Sequence, residues 1–189
     1  AMFRNCTIHR ARSLRAGAGA IAVAALLAAC RPALNWRELR LGEGPLGLML
    51  PCKPDKADKV VPLGGRPTTL SMMGCDAAGA TFAVAMADLG DVAAVPEVLA
   101  QWQSLTLANM KAEPLGQLPT QSRALKVPGA AAAPAPVLVM AQGRRADGVA
   151  VQGWTAYFSR GSRVFQAVLY APRITPEAAD TFFSSLKLD

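Results

Sequence analysis

Histidine is nearly missing from this chain. The single one, His9, sits near the start, and nothing after it carries an imidazole. From residue 10 onward this excludes Ser-His-Asp and Cys-His nucleophilic machinery, and metal sites that depend on histidine ligands. Acidic residues are also missing from the start: none precedes Glu38, while Arg4, Arg10, Arg12 and Arg15 all lie within the first 15 positions. No apolar run reaches the ~20 residues that a bilayer-spanning helix needs. Cysteine is scarce, with four in 189 residues, and no Cys-x-x-Cys occurs. The carboxylates Asp55, Asp58, Asp76 and Asp88 follow no metal-loop spacing, and "LGGRP" and "GRRADG" are too poor in glycine to cradle phosphates. Neither a catalytic residue nor a metal or cofactor site is expected.

What the amino-terminal region does contain is a basic segment followed by an uncharged apolar one, residues 16–29, "AGAGAIAVAALLAA", ending at Cys30. That order reads as an export signal. Its end, Leu27-Ala28-Ala29-Cys30, resembles the lipobox of bacterial lipoproteins. The resemblance implies a diacylglycerol on the Cys30 sulfur, cleavage before Cys30 and acylation of the new amine, with palmitate among the attached chains. One chain holds a protein only marginally and two or three hold it firmly, at roughly 0.8 kcal/mol per buried methylene. The expected location is the cell envelope, facing the periplasm. Arg31 stands where an Asp would, by the same resemblance, signal inner-membrane retention, which leans the assignment toward the outer membrane.

Three segments follow: a signal peptide over 1–29, a short tether over 30–34, and one domain over 35–189. Removing the four leader arginines from the 20 basic residues leaves 16 against 13 acidic ones, a formal charge of only +3. A nucleic-acid partner is therefore not expected. The five residues from 31 span at most about 17 Å, so the domain sits close to the membrane that anchors it.

Two cysteines remain in that domain, Cys52 and Cys75. In an exported protein such a pair reads as a structural disulfide, and closing the loop between them contributes roughly 3 kcal/mol. Two buried thiols and a redox-active pair are the other readings.

The domain alternates breakers with short apolar segments. Strands are expected over 35–41 and 46–51, forming a hairpin across "GEGP". Residues 53–67 read as a charged loop around a brief strand at 59–62. Two more strands are expected over 68–75 and 80–89. In the second, Phe82, Val84 and Met86 share one face while Ala and Thr fill the other, so both faces read as covered. Residues 91–113 predict a helix, with Pro96 in its first turn and Val95, Val98, Leu99, Trp102, Leu105 and Ala108 on a 3.6-residue period. Trp102 reads as a core anchor. Residues 127–137, "VPGAAAAPAPV", form an Ala/Pro loop. Strands over 137–142, 149–159 and 163–170 follow. The final segment, 175–188, reads as a helix capped by Thr175 with Pro176 in its first turn. The expected fold class is α+β, a single antiparallel sheet sandwiched by helices.

The Trp-bearing first strand, "LGLMLPCKP", the strand–turn–strand "WTAYFSRGSRVFQAVLY" with Tyr170, and the Phe-Phe-x-Ser in the last helix together resemble the PsbP-like α/β/α fold. That resemblance covers most of residues 35–188. It implies recognition of another macromolecule and no common catalytic residues; the Cys52/Cys75 pair and the Ala/Pro loop depart from it.

The function expected from these features is that of a lipid-anchored, non-catalytic binding or assembly protein. It would be held to the membrane through Cys30 and would meet a protein partner. The candidate contact residues are the arginines of two hairpin tips, Arg144 and Arg145, then Arg160 and Arg163, against the plainer reading of solvated charge at turns. The alternative is a small-molecule or lipid-binding module with a pocket between sheet and helix, lined by Trp36, Trp154 or Tyr157, against the plainer reading of sheet-face packing.

Overall fold

The structure, a computed structural model, describes residues 34–42, 44–112, 120–145 and 147–189. Cys30 and residues 1–29, expected as a signal peptide, lie outside them. Leu34–Asp189 form one compact unit. Its elements run β1 (Arg37–Arg40), β2 (Leu46–Leu50), β3 (Asp55–Leu63), β4 (Arg66–Ala77), β5 (Ala80–Asp88), α1 (Val95–Asn109), β6 (Gln121–Ala124), β7 (Val137–Arg144), β8 (Ala150–Arg160), β9 (Arg163–Ala171), α2 (Pro176–Ser184) and β10 (Lys187–Leu188).

The strands form two antiparallel sheets. The larger has seven strands in the order β3-β4-β5-β9-β8-β7-β6, and the smaller has three, β1-β2-β10. The expected single sheet sandwiched by helices is therefore wrong. The first hairpin does not extend the large sheet; it packs across its face. Its β2 strand buries Leu46, Leu48 and Leu50, and a side that apolar is better covered by another sheet than laid beside one. Lys187 and Leu188, expected as the end of the last helix, instead pair with Gly47 and Leu46 as a third strand.

The segment read as a loop over 53–67 is also corrected. It belongs to a long hairpin, nine residues of β3 against β4, turning at Gly64 and Gly65, both with φ near +70°. β3 is an edge strand. Its Lys56, Lys59 and Pro62, which looked like loop residues, are the charge and proline that blunt an exposed edge.

Strand alternation sorts the large sheet into two faces. On the first, Phe82 and Val84 of β5 join Phe158, Phe165, Leu169 and Leu138 in one buried cluster with the small sheet and α2. Edge-to-face contacts link Trp36 to Phe82 (5.6 Å) and Phe82 to Phe182 (5.5 Å), while Phe158 stacks on Phe165. On the second face, Ala85, Ala87, Val139, Tyr157 and Val164 lie under α1, which contributes Val95, Val98, Leu99 and Trp102. Both faces of β5 are thus covered, as its alternation predicted.

Helix α1 is shorter than the expected 91–113. It begins after an Asp91 side chain that accepts from the Ala93 N–H at 2.9 Å, and it stops at Asn109 in a Schellman turn. There the Lys111 N–H donates to the Ala108 carbonyl and the Ala112 N–H to the Leu107 carbonyl, both at 2.9 Å. Leu105, expected on its apolar side, is exposed. Thr175 caps α2 as expected, accepting from the Ala178 N–H. Cys52 and Cys75 are bonded, with Cα atoms 6.0 Å apart. The bond joins the end of β2 to β4 and so staples the small sheet to the large one. Among the described residues no helix is long and apolar enough to cross a membrane.

A candidate ligand groove beside the helix

Helix α1 covers only part of its face of the large sheet. Beside it, Met72 and Gly74 of β4, Ala83 of β5, and Val168 and Tyr170 of β9 floor an apolar recess of about 340 Å³. Beyond the carboxyl end of the helix lies a second recess of about 410 Å³, bounded by Thr81, Asn109, Met110, Arg144, Arg145 and Tyr170. Tyr170 lines both, so the two recesses adjoin at that residue, and together they are the groove beside α1. A smaller recess of about 130 Å³ adjoins it, with Lys111 and Arg144 in its wall.

The groove exists because the helix ends where it does and lies close to the sheet there. Gly143 and Gly153 permit that approach. A Cβ on Gly143 would fall 2.2 Å from the Met110 carbonyl oxygen, and one on Gly153 would fall 2.4 Å from Met110 Cε and 2.8 Å from Tyr170 Cε1. The Arg144 N–H donates to the Met110 carbonyl at 2.7 Å. Under the helix, the Gln166 amide donates to Thr106 Oγ1 at 2.8 Å and to the Tyr157 hydroxyl at 3.3 Å. Burial pushes the Tyr170 phenol up to about 12 and also raises that of Tyr157. Both therefore stay neutral at physiological pH, and Tyr170 brings no charge to the groove.

The four candidate arginines do not come together. Arg144 and Arg145 stand at the β7–β8 tip and Arg160 and Arg163 at the β8–β9 tip, the opposite ends of β8, roughly 30 Å apart at strand rise. The second pair is committed internally. Arg163 Nε lies 3.3 Å from Asp88 Oδ2, and Arg160 donates to the Asp189 carbonyl. Asp88 is held below the usual carboxylate range by hydrogen bonds from Ser162 and the Gly90 N–H, then by Arg163. Arg145 has only a 3.7 Å contact with Asp147, with both side chains more than half exposed, and such a pair is worth little. Arg144 donates to the Gly148 carbonyl at 3.2 Å.

None of Trp36, Trp154 and Tyr157 lines the groove. Trp36 packs on Phe82, Trp154 borders the same cluster, and Tyr157 is buried beneath α1. Opposite strand parity puts Trp154 and Tyr157 on different faces, and because both faces are covered, both are packed. Tyr170 is the aromatic residue that sequence reasoning missed as a groove residue; its position in β9, opposite Thr81 and Gly153, is what places it there. Ser184 and Lys187 have the Ser-x-x-Lys spacing of one hydrolase class. Lys187 Nζ, however, lies 2.7 Å from Glu38, and that contact raises the lysine pKa, the wrong direction for a base. Among the described residues no group of three His, Cys, Asp or Glu is placed to hold a metal ion.

No family model matches this chain, and no curated protein matches it. Among solved structures it is similar to the protein of unknown function PA94 from Pseudomonas aeruginosa. The TM-score is 0.33 and the identity 19%, covering 75% of this chain and 84% of that one. A likeness of that degree carries no argument about function.

Proposed function

We propose that this chain is a lipid-anchored, non-catalytic binding protein of the bacterial envelope, facing the periplasm, and that the groove beside α1 is its ligand surface. The anchor is read from the Leu27-Ala28-Ala29-Cys30 sequence. The observation that carries the binding role is the groove: two recesses of about 340 and 410 Å³ that share Tyr170, in the ~300–1,000 Å³ range typical of small-molecule sites. It favours the pocket between sheet and helix over a partner surface made of hairpin tips, because one pair of tip arginines is already engaged and the other borders the groove.

The test is site-specific photocrosslinking in cells from the full chain. A photoreactive residue at Ala57, on the rim of the groove, is expected to capture a ligand. One at Glu177, on α2 across the sheet, is expected to capture none. Adducts at Glu177 with none at Ala57 would overturn the reading. For the anchor, Cys30→Ala is expected to move the protein out of the membrane fraction and leave its leader poorly processed; unchanged fractionation would refute it.

A further inference from the structure

We infer that the groove takes a free single-chain amphiphile with an anionic head, its head against Arg144, Arg145 and Lys111 and its apolar chain along the β9–β4 floor. This rests on reading the groove as the ligand surface and adds the class of ligand.

Three observations point there. The first is order along the groove. Its β4 end is neutral and apolar, Met72, Gly74, Ala83 and Val168, with Asp55 and Lys56 offsetting one another at the rim. Its other end gathers three cations, Arg144 and Arg145 in one recess and Lys111 with Arg144 in the adjoining one. Asp147 is the acid paired there, at 3.7 Å from Arg145. A ligand matched to that order is apolar at one end and negative at the other. The second is length. From Val168 in β9 to Arg144 in β7 is two interstrand steps across the sheet and five residues along it, about 19 Å on the diagonal, the span of one medium-length alkyl chain with its head rather than of a compact solute.

The third concerns Lys111. The C′ position of a Schellman turn favours glycine because its backbone is left-handed. Here a lysine occupies it at φ 45°. Keeping a side chain there costs roughly 1 kcal/mol relative to glycine. Attraction to the helix dipole would be a local reason for a cation, but three of the carbonyls around the helix end already have partners: Leu107 has Ala112, Ala108 has Lys111 and Met110 has Arg144. A residue that costs stability and borders the groove fits a role in binding.

The experiment titrates sodium laurate into the Leu34–Asp189 unit, which holds both cores and the disulfide. Dodecyltrimethylammonium is the matched cation, and thermal unfolding of every variant is the folding control. Laurate is expected to bind and to raise the melting temperature, and the cation is not. Arg144→Glu with Arg145→Glu is expected to weaken laurate roughly tenfold or more. Lys111→Gly is expected to weaken laurate severalfold while raising the melting temperature of the ligand-free protein, a combination that a purely structural lysine would not give. Equal binding of the two amphiphiles, or unchanged laurate affinity in the charge-reversed variant, would overturn the anionic head. Absence of laurate binding, with charge-dependent sedimentation on phosphatidylglycerol vesicles, would assign the arginines to a membrane surface and overturn the inference. An Ala57 crosslink obtained in either case would leave the groove reading intact, so the two failures are distinguishable.

Discussion

The two faces of the seven-stranded sheet are built by the same alternation and finished differently. On the first, phenylalanines from three strands and α2 meet leucines of the small sheet, and the Cys52–Cys75 bond fastens that sheet in place. Phe82, Phe158, Phe165 and Phe182 are all fully buried. The second face has small residues, Ala83, Ala85 and Ala87 in β5, and one helix that stops at Asn109. Where the helix ends, the face stays partly uncovered and the groove begins. Large side chains on both faces would require a cover on both. Small ones on one face let a short helix suffice and leave room beside it. One face is thus sealed by the small sheet and α2, while the other is packed under α1 and keeps space beside it to bind.

That contrast breaks most visibly in the aromatic core. Phe82→Ala is expected to cost about 3–5 kcal/mol, a large share of the 5–15 kcal/mol that holds a typical domain. Tyr170→Ala, on the open face, is expected to cost less than half as much; comparable losses in denaturant titrations would mean that the faces are equally packed. Cys52→Ser is expected to remove roughly 3 kcal/mol, and reductant should reproduce the loss in the unsubstituted protein. Equal melting with and without reductant would mean that the staple contributes nothing.

The open face has its own pH signature. Tyr170 and Tyr157 have phenols raised above the ordinary value of 10 by burial, Tyr170 to about 12. The unfolded chain therefore loses these protons first. Stability held below pH 10 is expected to decline as the pH climbs toward 12. Tyr170→Phe should flatten that decline, and a slope unchanged by the substitution would contradict the burial. The smallest effect belongs to Asp88, whose carboxyl is depressed below 3.8. Its contribution is present above that pH and fades as the pH falls through the lowered value. Both Asp88 and Arg163 are about half exposed, so Asp88→Asn should cost under about 1 kcal/mol at neutral pH and nothing in strong acid.

Much of this architecture was legible in the sequence wherever one local rule acted alone. The alternation of Phe82, Val84 and Met86 fixed a strand covered on both faces. Pro96 and Trp102 marked α1, and Thr175 with Pro176 marked the start of α2. What was hidden depended on distant partners. The second sheet needs Lys187 to meet Gly47, and nothing near either residue announces that pairing. β3 looked like a loop because edge strands use the same lysines and prolines that loops use. The groove was the least legible part. It depends on α1 stopping at Asn109 and on the closeness that Gly143 and Gly153 allow. Its central residue, Tyr170, read only as one more strand aromatic, and the left-handed backbone of Lys111 leaves no mark in the sequence.

The most direct test of the contrast between faces is a pair of melting curves, for Ala83→Leu and Ala167→Leu. These alanines lie on adjacent strands, one half-buried in the groove floor and the other with no exposure on the sealed face. Overfilling a packed site costs about 1–3 kcal/mol, which lowers the melting temperature by roughly 2–4 °C per kcal/mol in a domain of this size. Ala167→Leu is expected to show that loss and Ala83→Leu to melt close to the unsubstituted protein, its extra methyl groups entering the groove. Equal losses would mean that there is no open groove beside the helix, and the binding role built on it would fall with it.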